Sequence, residues 1–162
     1  MRRIAAVFTA CLTLLPVACA ENAPGAAQAA PAVNFTTQPL TILTQSGAHA
    51  FTVEVAETPE QRERGLMYRT EMAADTGMIF DYHRDVEISM WMKNTVLPLD
   101  MVFMSADGTV FDVVKGAVPY SLSIISSQGK VRAVLEVNAG TVDRLQIRRG
   151  DVVKSAIFGN TP

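Results

Sequence analysis

Leu99-Asp100-Met101-Val102-Phe103-Met104-Ser105-Ala106-Asp107-Gly108-Thr109-Val110-Phe111-Asp112-Val113-Val114-Lys115 holds two apolar runs on either side of one turn. Leu99 to Ser105 has the length and composition of a buried strand. Ala106-Asp107-Gly108 is a hairpin signal, because Asp-Gly accepts the left-handed backbone that tight turns need. Thr109 to Lys115 returns as the partner strand. Working outward from this hairpin, the question becomes how many further strands join it.

Upstream, Leu40 to Leu43 is a short apolar strand and Ser46-Gly47 a turn. From Ala50 to Ala56, Phe51, Val53 and Val55 alternate with Thr52 and Glu54, as in a half-buried strand. The period then changes. Thr58 is placed to cap a helix, Pro59 suits its first position, and Gln61 completes a capping box. This helix is expected from Pro59 to about Met67. Gly65 inside it costs about 1 kcal/mol, which implies an early end or a close backbone approach. Met78 to Phe80 is a strand, Asp81 to Asp85 a polar turn, and Glu87 to Lys93 a strand again. Pro98 ends or bends the latter. Downstream, Gly116 to Lys130 reads as a longer loop and Val131 to Val137 as a strand. A short helix runs from near Thr141, and Val152 to Phe158 closes the chain. These elements specify a mainly β fold, a compact sandwich or barrel of short, mostly antiparallel strands with two short helices.

The N-terminus differs in kind. Arg2 and Arg3 precede an apolar run from Ile4 to Val17, the pattern of a secretory signal peptide over residues 1–20. Ala18-Cys19-Ala20 fits ordinary cleavage, and Val17-Ala18-Cys19 fits a lipoprotein signal ending before Cys19, with Pro16 in place of the usual leucine. We read Cys19 as the lipidation candidate. Residues 21–34, rich in Ala, Pro and Gln, form a flexible tether. Residues 35–162 form the single globular domain. The expected location is therefore the periplasm, either free or membrane-anchored and facing it.

Cys11 and Cys19 are the two cysteines of the chain, so the globular domain has no disulfide, thiolate nucleophile or cysteine metal ligand. Removing Arg2 and Arg3 takes the net charge from −2 to −4, and no basic block is present to track nucleic acid. No nucleic-acid partner is expected, and no membrane contact beyond a lipid anchor.

Arg64-Gly65-Leu66-Met67, Gly77-Met78-Ile79-Phe80, Met92-Lys93-Asn94-Thr95, Pro98-Leu99-Asp100 and Val134-Leu135-Glu136-Val137-Asn138-Ala139-Gly140 occur in this order. As a set they resemble the domain-of-unknown-function family DUF192, over nearly the whole domain. The resemblance implies a compact, mostly β domain, often exported in bacteria. It implies no activity.

The densest chemistry lies in Met90 to Asp100, which holds the single tryptophan. Read as a strand, it puts Trp91, Lys93 and Thr95 on one face and Met90, Met92 and Asn94 on the other. Arg64, Trp91, Lys93, Asn94, Thr95 and Asp100 are the ligand-binding candidates, floored by Trp91 with Lys93 and Arg64 as donors. Such a set suits a small anionic or sugar-like ligand, or an envelope protein. Against this, Asn94 and Asp100 can simply satisfy turn backbone, and Arg64 can brace the helix to Asp100 or Glu136. Asp100 and Lys93 are also the candidates for a small hydrolase or lyase, as general acid–base and charge partner. No nucleophile elbow or phosphate loop supports that chemistry, and no spacing favours a triad through Ser121, Ser123 or Ser126. Asp81, His83, Asp85 and Glu87 alternate but lack a calcium-loop pattern. They read as a solvated turn, and neither metal nor other cofactor is expected. Pro119-Tyr120 marks the best lid or partner-contact loop. The leading expectation is an exported, non-enzymatic binding accessory protein. The hydrolase or lyase and a structural or assembly role in the envelope stand as alternatives.

Overall fold

Thr58 ends one backbone period and starts another. In the computed structural model, which describes residues 33–161, its side chain accepts a hydrogen bond from Gln61 N–H at 3.2 Å, and the Gln61 side chain accepts from Thr58 N–H at 3.0 Å. This reciprocal cap, worth about 1 kcal/mol in comparable helices, starts α1 (Pro59–Arg64). Gly65 closes it at φ 45°, and a Cβ there would lie 3.0 Å from the Phe80 ring. The early end and the close approach anticipated for Gly65 both occur. The expected signal peptide, Cys11, Cys19 and the expected tether up to residue 32 lie outside the described residues.

The strands are β1 (Thr36–Thr44), β2 (Gly47–Ala56), β3 (Thr76–Met90), β4 (Leu99–Met104), β5 (Val110–Ala117), β6 (Ile125–Asn138) and β7 (Val152–Ser155), with α2 (Thr141–Leu145) before the last. They form one sheet in the order β5-β4-β6-β3-β2-β1-β7. Only β2 and β3 run parallel, because α1 and the following loop carry the chain across between them. The sheet curls into a half-barrel. Its two edges meet where Thr109 bridges Val152, with Val110 N–H donating to the Asp151 carbonyl at 2.8 Å. The mainly β architecture with two short helices is as expected, and its form is a curled single sheet. No helix among the described residues is long and apolar enough to cross a membrane.

Each face of the sheet buries its own apolar cluster. One contains Leu40, Val53, Ile79, Val102, Leu135 and Val142 of α2. The other contains Leu66, Met78, Phe80, Met92, Met101 and Val134, and α1 and the 91–98 loop lie over it. From Ala133 to Val137, alternation along β6 decides which face each residue serves.

Several boundaries differ from expectation: the closing strand stops at Ser155, and a 3-10 turn follows over Ala156–Phe158. Asp81 to Asp85 is not a turn: β3 passes through it as a bulge, with five residue steps from Asp81 to Val86 against two from Ala133 to Val131 on β6. His83 takes φ 60° there, and Asp81 accepts its N–H at 2.8 Å. Asp81 is itself held by Arg132 through two bonds at 3.0 and 3.1 Å. The 116–130 loop is shorter than expected, since β5 reaches Ala117 and β6 begins at Ile125. Buried Ser127 accepts Ile88 N–H at 3.0 Å and so ties the polar stretch into the sheet. Finally, the 90–100 stretch is not an unbroken strand. Met90 and Met92 are buried and Trp91 and Lys93 exposed, but Asn94 turns at φ 54° and sends Thr95 inward.

Candidate functional site

Glu136 stands in the middle of β6, opposite Met78 of β3 on one side and Met101 of β4 on the other. Its neighbours in the strand, Val134, Leu135 and Val137, are fully buried. The glutamate is itself 4% exposed, and what exposure remains opens into a cavity of about 60 Å³. Gly77 lets β3 approach closely beside it, since a Cβ there would come within 2.5 Å of the Glu136 carbonyl. Removal from water pushes the Glu136 carboxyl up to about 8, with no hydrogen bond or opposite charge offsetting that shift. At neutral pH this is a buried carboxylic acid with a proton to donate.

The wall facing Glu136 comes from α1, β3 and the 91–98 loop. α1 contributes Arg62 and Arg64. Arg62 donates to the Asp81 carbonyl at 3.0 Å and to the Glu57 carbonyl, and lies 4.7 Å over the Tyr82 ring. Arg64 stacks 4.7 Å over Tyr68. Burial raises the Tyr82 phenol above its ordinary value; nearby Arg62 opposes the shift and nearby Glu136 adds to it. Trp91 forms part of the mouth, 41% exposed, with the Lys93 ammonium 5.0 Å from its ring centre.

Arg64, Trp91 and Thr95 of the expected set therefore share one cavity. Lys93 stands outside its lining, on the exposed side of Trp91. Asn94 supports the wall, donating to Tyr68 Oη at 2.8 Å while its carbonyl accepts Tyr68 N–H at 2.9 Å. Thr95 donates to the Lys93 carbonyl at 3.1 Å. Asp100 belongs elsewhere. It pairs in register with Val137, the residue after Glu136, and so faces the opposite side of the sheet. There its two oxygens accept Gly116 N–H at 2.8 Å and Val142 N–H at 2.9 Å. Asp100 is 1% exposed and is not joined to Lys93, so the pair proposed for acid–base chemistry is not assembled. Arg64 braces neither Asp100 nor Glu136.

The residue that sequence reasoning missed as a site is Glu136. Its signal is a lone acid inside the otherwise apolar run from Ala133 to Val137. A second, larger depression of about 580 Å³ lies over β2 and β3, but its Arg69 and Glu54 neutralise each other through a bidentate pair.

Beside Trp91, the 118–124 loop exposes Val118, Tyr120, Leu122 and Ile124, each by more than 60%. It is held to the site by Met92 N–H donating to the Ser121 carbonyl and Tyr120 N–H to the Thr95 carbonyl, both at 3.0 Å.

A family model described as "Uncharacterized ACR, COG1430", DUF192, matches residues 41–155. The chain belongs to the DUF192 family. Two crystal structures are similar to this DUF192 domain. One, from Sinorhizobium meliloti 1021, is described as a "putative transcription regulator". It is 48% identical, covers 78% of this chain and 98% of its own, and superposes with a TM-score of 0.75. The other, a protein of unknown function from Novosphingobium aromaticivorans DSM 12444, is 39% identical, covers 79% and 94%, and has a TM-score of 0.73. No curated protein matches the chain.

Proposed function

We propose that this DUF192 domain is a non-enzymatic binding module for a small ligand, whose end enters the cavity between α1, β3 and Trp91. The observation that carries the reading is Glu136, a buried acid without a partner among the described residues, opening into a cavity with two arginines and the single tryptophan at its wall. Buried polar groups are ordinarily satisfied. The Glu136 carboxyl, bonded to no described residue, keeps its contact with the cavity, where a ligand can meet it. The cavity admits only a few water-sized groups, so the rest of the ligand lies outside, against Trp91 and the charge-free stretch from Gly116 to Gly129. The transcription-regulator description of the Sinorhizobium neighbour gains no support here. The chain has no basic run, and α1 and α2 are too short to serve as recognition helices.

Trp91 is the built-in probe. Titration with small organic acids, sugars and cell-wall fragments is expected to change its emission saturably for at least one class, with the response weakened about tenfold or more in Arg64→Ala. A flat response across the panel, or one indifferent to Arg64, would count against the cavity.

The module is proposed to act in the cell envelope, on the strength of Arg2-Arg3, the apolar run after them and Cys19. Full-length protein expressed in a Gram-negative host should fractionate with membranes, and Cys19→Ala should release it. Soluble wild-type protein would overturn the lipid anchor.

A further inference from the structure

Resting on that binding reading, we propose that the buried end of the ligand is a carboxylate, seated between the Glu136 carboxyl at the floor of the cavity and Arg64 at its wall. The ionisable groups facing Glu136 across the cavity decide the class. α1 presents Arg62, Glu63 and Arg64, β3 presents Tyr82, and the 91–98 loop presents only Trp91 and Thr95. Met78 and Met101 flank Glu136 on the two neighbouring strands and carry no charge. With Glu136 protonated, the surroundings are net positive. A cationic ligand would have to pass two guanidinium groups and displace the proton. A carboxylate meets a donor at the floor and a cation at the wall. Arg62 is partly committed to the Glu57 and Asp81 carbonyls. Arg64 stacks on Tyr68 and donates to no described residue, so its N–H groups remain available for a forked contact with a carboxylate. The cavity is large enough for such a group and one or two carbons, and too small for a sugar ring.

Proton linkage separates the possibilities by sign. A carboxylate that needs the Glu136 proton binds with an affinity that is level below about pH 8 and falls about tenfold per pH unit above it. An ammonium ligand would need the ionised form, and its affinity would rise with pH and level off above about 8. Tyr82, raised by burial, keeps its proton across this range.

The experiment uses propanoate and propylammonium as probes on the intact protein, followed by Trp91 emission from about pH 6 to 9.5 while carboxyl carbon NMR reports the titration of Glu136. Propanoate is expected to bind and to raise the Glu136 midpoint. Glu136→Gln, whose amide still donates, should keep propanoate binding and lose the pH dependence. Should that variant fail to fold, the direction of the wild-type Glu136 midpoint still decides. Binding of propylammonium with a lowered midpoint would leave the cavity reading standing and overturn the carboxylate. Binding of neither probe at about 100 mM, far above the millimolar range of weak sites, would overturn both.

Discussion

Glu136→Gln will flatten a pH dependence of unfolding that the wild-type domain shows between about pH 4.5 and 8. The Glu136 carboxyl is raised from 4.5 to about 8 in the folded chain. Across that window the folded state keeps a proton that the unfolded state has released. Stability therefore falls as pH rises, by about 1.4 kcal/mol per unit, and the full loss of about 3–5 kcal/mol is reached above pH 8. Below pH 4.5 both states are protonated and the difference vanishes. Asp81 acts in the opposite sense. Burial raises it, but Arg132 and the His83 N–H outweigh burial and leave it lowered, so its contribution is lost on acidification. Comparing wild type with Glu136→Gln in urea at each pH cancels that term. Parallel curves would show that Glu136 is not a buried acid. Glu136→Met, matching its neighbours Met78 and Met101, should stabilise the domain by about 3 kcal/mol at pH 8.5 while abolishing the ligand response. Gain of stability together with loss of the ligand response is the outcome expected of a strand residue kept for binding rather than for packing.

The sequence pattern shows local decisions well and long-range ones poorly. Thr58-Pro59-Gln61 and Asp107-Gly108 are complete within a few residues, and the structure builds the helix cap and the hairpin there. Asp81 to Asp85 and Gly116 to Lys130 misled because a bulge and a turn use the same residues. His83 and Gln128 supply positive φ inside paired strands rather than between them. Only the partner strand distinguishes the two, and β3 and β6 are paired across a long sequence separation. The same holds for the site. Asp100 and Glu136 look equally plausible as acids in apolar runs. The register of β4 on β6, Asp100 against Val137 and Met101 against Glu136, puts one on each face of the sheet. No spacing along the chain contains that fact. Trp91, Arg64 and Thr95 were accessible because they flank recognisable turns, whereas Asp100 drew attention by standing close to them in sequence.

Asp100→Ala is expected to destabilise the domain by about 3 kcal/mol and to lower its Tm by about 10 °C. The carboxylate accepts one N–H from Gly116, near the end of β5 at φ 60°, and one from Val142, in the first turn of α2. It thus ties a strand end and a helix start to β4. α2 has no side-chain cap of its own, and Gly140 precedes it in a left-handed conformation. Without Asp100, the buried Val142 N–H has no acceptor and Gly116 loses the group that fixes its turn. Removing one partner leaves the other desolvated, which costs more than the bond itself contributes. Asp100→Asn should fall between, since its amide can accept from only one of the two donors. Hydrogen exchange supplies the local readout: the Val142 and Gly116 amides should exchange faster in Asp100→Ala, while amides around Trp91 and Glu136 stay as they were. Because Asp100 faces away from the cavity, the variant that remains folded should keep the Trp91 ligand response. A loss of that response at unchanged stability would reverse the assignment, making Asp100 part of the functional site and reviving its acid–base role with Lys93.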